Sequence, residues 1–344
     1  MKNHPPTFAI ACSLVCGVNL MSPFAVFGGD SRPSPPDSAS SSRSALSLRW
    51  ENDTIAGQDE NYSNGISLAL TRSGQSWLGG IWNLFGADGD RYLHGYDFGQ
   101  IIVTPADINR TVPDPNDRPY SGLLYFAAST HLIRENRFHG LKFITGVVGP
   151  YSFAEETQRE VHRLGGSAIP QGWDYQLETE PIFNMVYEHR RRYDLFQTES
   201  GFGFQVIPMA GAMLGNVLIQ GQAGAQLRLG YNLPDDFGTT LMRGLGNLPF
   251  PREDEDAPNQ RNFGAYLFAG GGANLVARNL ALDGNTFRDS PSVDKRPFFP
   301  GAEFGASVVT RRFQATFSYV IWGKEFYGQQ RHSEFGAVTV SYFF

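Results

Sequence analysis

Alternation of apolar and polar side chains with a period of two, sustained over about ten residues and repeated along the chain, most narrows what this chain can become. In Gln220–Tyr231, Ala223, Ala225, Leu227, Leu229 and Tyr231 alternate with Gln222, Gly224, Gln226, Arg228 and Gly230. Arg312–Trp322 sets Phe313, Ala315, Phe317, Tyr319 and Ile321 against Gln314, Thr316 and Ser318. Glu334–Phe344 sets Val338, Val340, Tyr342 and Phe344 against Thr339 and Ser341, and ends the chain on an aromatic residue. Such stretches begin near Leu46, Tyr62, Tyr96, Leu123, Gly140, Pro181, Phe196, Gln220, Phe263, Pro300, Arg312 and Glu334. About twelve strands, an even number, suit a closed antiparallel barrel with one face to lipid and the other to a polar lumen. The expected fold class is therefore all-β, a transmembrane antiparallel β-barrel.

Composition agrees without deciding. Only 18% of residues are charged, while 13% are aromatic and 39 are glycines, fewer charges than the roughly 25% of ordinary soluble domains. The net charge of −6 argues against a general nucleic-acid binder. Residues 1–29 read as a signal peptide, with Lys2, an apolar run from Phe8 to about Leu20, and small residues near Ala25 to Gly29. Cys12 and Cys16 both lie in it, so the exported chain is expected to carry no disulfide. Residues 30–44, rich in Pro and Ser, read as a disordered leader, and 45–344 as the barrel. No later stretch has the ~18 consecutive apolar residues of a membrane helix.

Parity sorts the connections. With both termini on the periplasmic side, the odd connections face outward: Asn52–Asn61, Thr104–Gly122, Pro150–Thr179, Ile207–Ile219, Arg278–Phe299 and Gly323–Ser333. They hold nearly all the polar, motif-like segments, so that rim is the expected working face. The inward connections Gly74–Gly95 and Asn232–Asn262 are too long for ordinary periplasmic turns.

Four constellations carry chemistry. Trp50-Glu51-Asn52-Asp53 with Asp59-Glu60-Asn61-Tyr62-Ser63-Asn64-Gly65 is an oxygen-rich cluster of the kind hard cations prefer, and equally a plain hairpin loop. Gln158 and His162, four apart, share one face of a helical turn; a rim histidine is either a general base or a surface residue. Arg118 and Tyr120, in Asn116–Gly122, suit an anionic head group or the aromatic belt. The mixed charges of Arg278–Asn279, Leu282–Arg288 and Val293–Pro297 suggest a packed loop, while His189–Arg192 and Arg311–Arg312 read as solvated turns.

In these motifs the chain resembles the outer-membrane lipid A 3′-O-deacylase (LpxR) family, from about Leu46 to Phe344. The anchors are W-E-N-D (Trp50–Asp53), N-Y-S-N-G (Asn61–Gly65), D-R-P-Y-S-G (Asp117–Gly122), Q-R-E-V-H-R (Gln158–Arg163), Q-G-W-D-Y-Q-L (Gln171–Leu177), L-D-G-N-T-F-R-D (Leu282–Asp289) and E-F-Y-G-Q (Glu325–Gln329). The resemblance implies a twelve-stranded barrel in the bacterial outer membrane that removes an acyl chain from lipid A by ester hydrolysis. It places catalytic roles on Asn52, Ser63, Gln158 and His162, and a Ca²⁺ site at Asp53. The implied mechanism is like that of calcium-dependent phospholipase A2: His162 deprotonates a water and Ca²⁺ stabilises the ester oxyanion. Arg118 and Tyr120 are the expected substrate contacts, and lipopolysaccharide the expected partner of a monomer. Eight residues after His162, where family members with established lipid A activity carry Tyr, the chain has Pro170; its nearest aromatics are Trp173 and Tyr175.

Three other readings stay open. Ser63 can itself be the nucleophile, with His162 as its base. An outer-membrane phospholipase A would have a His two residues before its Ser, where this chain has Asn61. A non-enzymatic channel or structural barrel would not require Asn52, Asp53, Gln158 and His162 to converge.

Overall fold

The computed structural model describes residues 44–57, 61–74, 76–239 and 263–344. The expected signal peptide and all of the expected leader except Ser44 lie outside them, as do Asp59 and Glu60. The strands are β1 (Ser44–Asn52), β2 (Asn61–Ser73), β3 (Arg91–Thr104), β4 (Ser121–Arg134), β5 (Arg137–Val148), β6 (Glu180–Arg191, resuming as Tyr193–Gln197), β7 (Phe202–Gly215), β8 (Leu218–Tyr231), β9 (Phe263–Asn279), β10 (Phe298–Thr310), β11 (Phe313–Trp322) and β12 (Ser333–Phe343). The register on β7 carries across the break in β6, Arg190 opposite Met209 and Tyr193 opposite Val206, before a bulge between Asp194 and Phe196, so the two parts form one strand of twelve. β1 closes the ring on β12, from Ala45 opposite Phe343 to Asn52 opposite Gly336.

The seventh strand starts later than alternation suggests. Phe196 belongs to the last part of β6, which ends at Gln197, and the Thr198–Gly201 turn, held by Gly201 N–H to the Thr198 carbonyl at 2.9 Å, delays β7 to Phe202. The expected outward connection Ile207–Ile219 shrinks to Asn216 and Val217, because β7 runs on to Gly215. Pairing to strands on both sides overrides the local break in apolar pattern. Ser44, the last residue of the expected leader, is already tied to Phe344 by two backbone bonds.

The two faces are chemically distinct. Leu46, Leu48, Ile66, Leu68, Phe98 and Phe126 point outward and stay exposed, as lipid-facing residues do. The lumen is filled by paired polar groups. Lys142 Nζ lies 2.9 Å from Asp97 Oδ2, Tyr62 O–H donates to Glu51 at 2.6 Å, and Gln226 donates to Glu303 at 2.8 Å. A barrel of this girth leaves room for side chains and little else, and buried charge must be paired.

Both ends of the lumen are closed. At the inward end the Asn232–Thr239 stretch folds back: Phe237 packs on lumen-facing Phe138 at 5.6 Å, and Arg190 donates to the Phe237 and Gly238 carbonyls. Part of the over-long inward connection is thus a plug. The His189–Arg192 run is correspondingly no solvated turn, since Arg190 is buried in the lumen. The other inward connection carries α1 (Gly80–Leu84), whose Trp82 donates to Thr130 on the outer face of β4 at 3.1 Å. At the outward end, α3 (Leu280–Asp283) caps the lumen with buried Leu280. Asn285 exchanges two hydrogen bonds with the Glu178 backbone, and Lys295 reaches Asp283 at 2.8 Å. The mixed-charge loop is packed, as its composition suggests.

Asp97→Leu leaves Lys142 buried without its carboxylate and should cost about 3–5 kcal/mol. Adding Lys142→Met should recover part of that loss. Urea titration of the heat-modifiable gel band measures both.

Candidate active site

Asn52 continues the outward parity of Leu48 and Trp50, at the top of β1. The chain then bends into a 3₁₀ turn, Asp53–Ala56, that Asn52 caps: its Oδ1 accepts from Thr54 N–H at 2.9 Å. Its Nδ2 donates to the Ser63 carbonyl at 3.2 Å. Ser63 is the extra residue of a bulge between Tyr62 and Asn64. The bulge lets Tyr62 point inward to Glu51 while Ser63 lies with its Oγ 2.5 Å from Thr104 Oγ1. Thr104 shares the outward face of Phe98 and Ile102. Asn52, Asp53, Ser63 and Thr104 are all buried, yet Asn52, Ser63 and Thr104 belong to the outer wall of the barrel and not to its lumen.

A helix covers the same wall. Gly149 (φ 91°) turns the chain out of β5, and α2 (Ala154–Gly165) follows. Its buried residues are Ala154, Gln158 and His162, spaced four apart on one face, whereas Val161 and Leu164 are exposed. Ala154 seats on β4 at Gly122, where an added Cβ would come within 2.1 Å of Ala154 Cβ; only glycine allows this approach. Gln100 ties the seat down by donating to the Ser152 carbonyl at 2.7 Å. Gly122 pairs with Ile102, Ile102 with Asn64, and Asn64 with Asn52, one row across four strands. At ~4.8 Å per strand, the seat of α2 lies within about 14 Å of Asn52.

The two polar side chains of α2 have fixed orientations. Trp173 Nε1 donates to Gln158 Oε1 at 2.9 Å. Indole is a donor only, so it takes the oxygen end of the amide and leaves Nε2, buried and with no protein acceptor, to be offered elsewhere. His162 Nδ1 lies 2.6 Å from the Ala168 carbonyl. A carbonyl only accepts, so Nδ1 carries the proton and Nε2 keeps its lone pair.

Other expected site residues go elsewhere. Arg118, buried, pairs with Glu325 at 2.7 Å and lies over Phe326. Tyr120, fully buried, packs on Trp173 at 4.9 Å and bonds the Ile108 carbonyl. Both are occupied by protein: Arg118 locks one outward loop to another, and Tyr120 backs the Trp173–Gln158 pair. Glu51 turns to the lumen. Among the described residues, no group of three or more His, Cys, Asp or Glu side chains could hold a metal. Oxygen donors on this wall, the Asn52 amide and the hydroxyls of Ser63 and Thr104, are of the kind a hard cation takes. Sequence reasoning missed Thr104, Trp173 and the Ala168 carbonyl. Trp173 lies within a motif it did mark, but nothing local links an indole to a glutamine fifteen residues earlier.

The family model described as outer membrane protein LpxR matches residues 14–344. The chain belongs to the LpxR family. LpxR from Salmonella typhimurium has the same fold: TM-score 0.71 at 18% identity, covering 87% of this chain and all of that one. The β-domain of the Bordetella autotransporter BrkA gives a TM-score of 0.40 at 9% identity, over 88% of this chain and 98% of its own. The translocator domain of NalP from Neisseria meningitidis gives 0.37 at 9%, over 88% of each chain. No curated protein matches the chain. As an LpxR-family barrel the protein resides in the bacterial outer membrane.

Gly122→Val should unseat α2 without opening the barrel. Trypsin should then cut at Arg159 and Arg163 well before it cuts the wild type, while the heat-modifiable band persists.

Proposed function

We propose that the protein hydrolyses the 3′-O-linked acyl ester of lipid A at the outer leaflet. One observation carries this: the polar side chains Asn52, Ser63, Gln158 and His162 belong to the lipid-facing wall and the helix laid over it. A channel would put its functional groups in the lumen, which here is filled and capped among the described residues. A lipid hydrolase must instead reach a substrate that stays in the leaflet, and a wall site admits it sideways.

His162 is the general base. With Nδ1–H held by the Ala168 carbonyl, Nε2 takes a proton from water. The water oxygen attacks the ester carbonyl carbon. The bond from that carbon to the sugar oxygen breaks, and the proton passes to the leaving alkoxide, giving a free hydroxyl and a fatty acid. The Gln158 amide, aimed by Trp173, donates toward the oxygen that gains charge. Ser63 is a support and not the nucleophile, because its hydroxyl is shared with Thr104 and its carbonyl anchors Asn52. Asp53, with Asn52, would hold Ca²⁺, which as a Lewis acid would supply further stabilisation of that oxygen.

Mass spectrometry of lipid A from cells with and without the protein tests the reading. Loss of one 3′-O-acyl chain is expected, with phospholipids intact. His162→Ala should lose about 10²–10⁴-fold in rate, and Ser63→Ala should keep substantial turnover. Chelation of calcium should abolish activity and added Ca²⁺ restore it. An unchanged lipid A profile overturns the proposal, and cleavage confined to phospholipids makes the protein a phospholipase.

A further inference from the structure

Far from this site, at the inward end of the barrel, the outer wall of β5 and β6 carries a pair of arginines next to a pair of histidines. Arg137 and Arg191 are register partners, directly opposite each other, and His139 and His189 form the next such pair. All four positions share the lipid-facing parity of Phe143 and Met185. The two imidazoles lie 4.5 Å apart, centroid to centroid. Like charges directly opposite in a sheet repel and destabilise it. The Arg137–Arg191 pair calls for an anion, and the adjoining imidazoles can offer it further N–H donors.

Among the described residues, no carboxylate supplies one. Arg190 and Arg192, on the alternate face, have protein partners: Arg190 pairs with Glu188 at 2.6 Å and Arg192 with Asp235 and Asp194. Arg137 and Arg191 have no carboxylate partner among the described residues. The Arg191 guanidinium lies over Tyr193, 4.8 Å from the ring centre, and its Nε is shielded and without a hydrogen-bond partner. It is held in place with donors unspent. Beside it, Tyr187 O–H bonds His139 Nδ1 at 2.9 Å, and Trp82 stands edge-on to His139.

Position on the wall identifies the anion. Immediately toward the membrane centre come Leu141 with Tyr187, then Phe143 with Met185, then Thr145 with Phe183. The cations therefore lie at the water edge of the apolar band, the level of lipid phosphates. Alongside, Trp77, Leu84 and Phe85, in and around α1, expose apolar surface that suits acyl chains.

The geometry points to a binding site for the phosphate of an inner-leaflet glycerophospholipid, clamped between Arg137 and Arg191 and backed by His139 and His189. This site is independent of the hydrolytic reading. Full-length protein, delipidated in detergent, is titrated with dioleoyl phosphatidylglycerol and, separately, with dioleoylglycerol, and bound lipid is counted by native mass spectrometry. The phosphatidylglycerol should remain bound and the diacylglycerol should not. Arg137→Gln/Arg191→Gln should bind about 30-fold more weakly, at roughly fivefold per arginine. Arg288→Gln/Arg331→Gln, an equal loss of charge at the opposite rim, should bind as the wild type does. Heat-modifiable mobility checks folding. If the double variant does not fold, Arg137→Gln alone, at an exposed side chain, should still lose about fivefold. Equal retention in the variants, retention of diacylglycerol, or full displacement by millimolar inorganic phosphate would each overturn the assignment.

Discussion

A peptide group in hydrocarbon has no water to bond to, and each unsatisfied one costs several kcal/mol. The rest of this structure depends on meeting that demand. Pairing of β1 with β12 turns an open sheet into a ring, so no strand is left with an edge in lipid. The two backbone bonds between Ser44 and Phe344 finish the seam, and the last strand's alternation keeps its apolar side outward. The interruption at Arg192 is tolerated because the register on β7 carries across it.

Closure creates a second problem, an enclosed polar lumen. The chain fills it with pairs such as Asp97–Lys142 and Gln226–Glu303, then stoppers it with Phe237 below and Leu280 above. A filled lumen gives up transport but makes a rigid wall. Catalytic side chains need such a support, since small displacements cost much rate.

That wall carries the proposed site. A glycine at position 122 lets α2 lie directly on β4, and a one-residue bulge keeps Ser63 beside Asn52 and Thr104 while Tyr62 fills the lumen. The site is thus open to the membrane rather than to the pore, which fits a substrate that never leaves its leaflet. By height, the outer wall carries the patch of the proposed hydrolytic site at the outward rim and the arginine pair of the proposed phosphate site at the inward one.

Much of this was legible in the residues. Period-two alternation fixes which side of each strand is apolar, because successive side chains must point to opposite faces. It therefore determined the barrel and its approximate strand count, and with the parity of the connections it assigned Asn52, Ser63, Gln158 and His162 to one rim. It could not place the boundary at Phe202, since a turn bonded through Thr198 carries no signature in alternation. Nor could it distinguish wall from lumen for the site, set Arg118 against Glu325 rather than against substrate, or join Trp173 to Gln158. Those outcomes depend on contacts between segments distant in the chain. Only the closed tertiary structure brings such segments together, because only there do burial and hydrogen bonding between them compete.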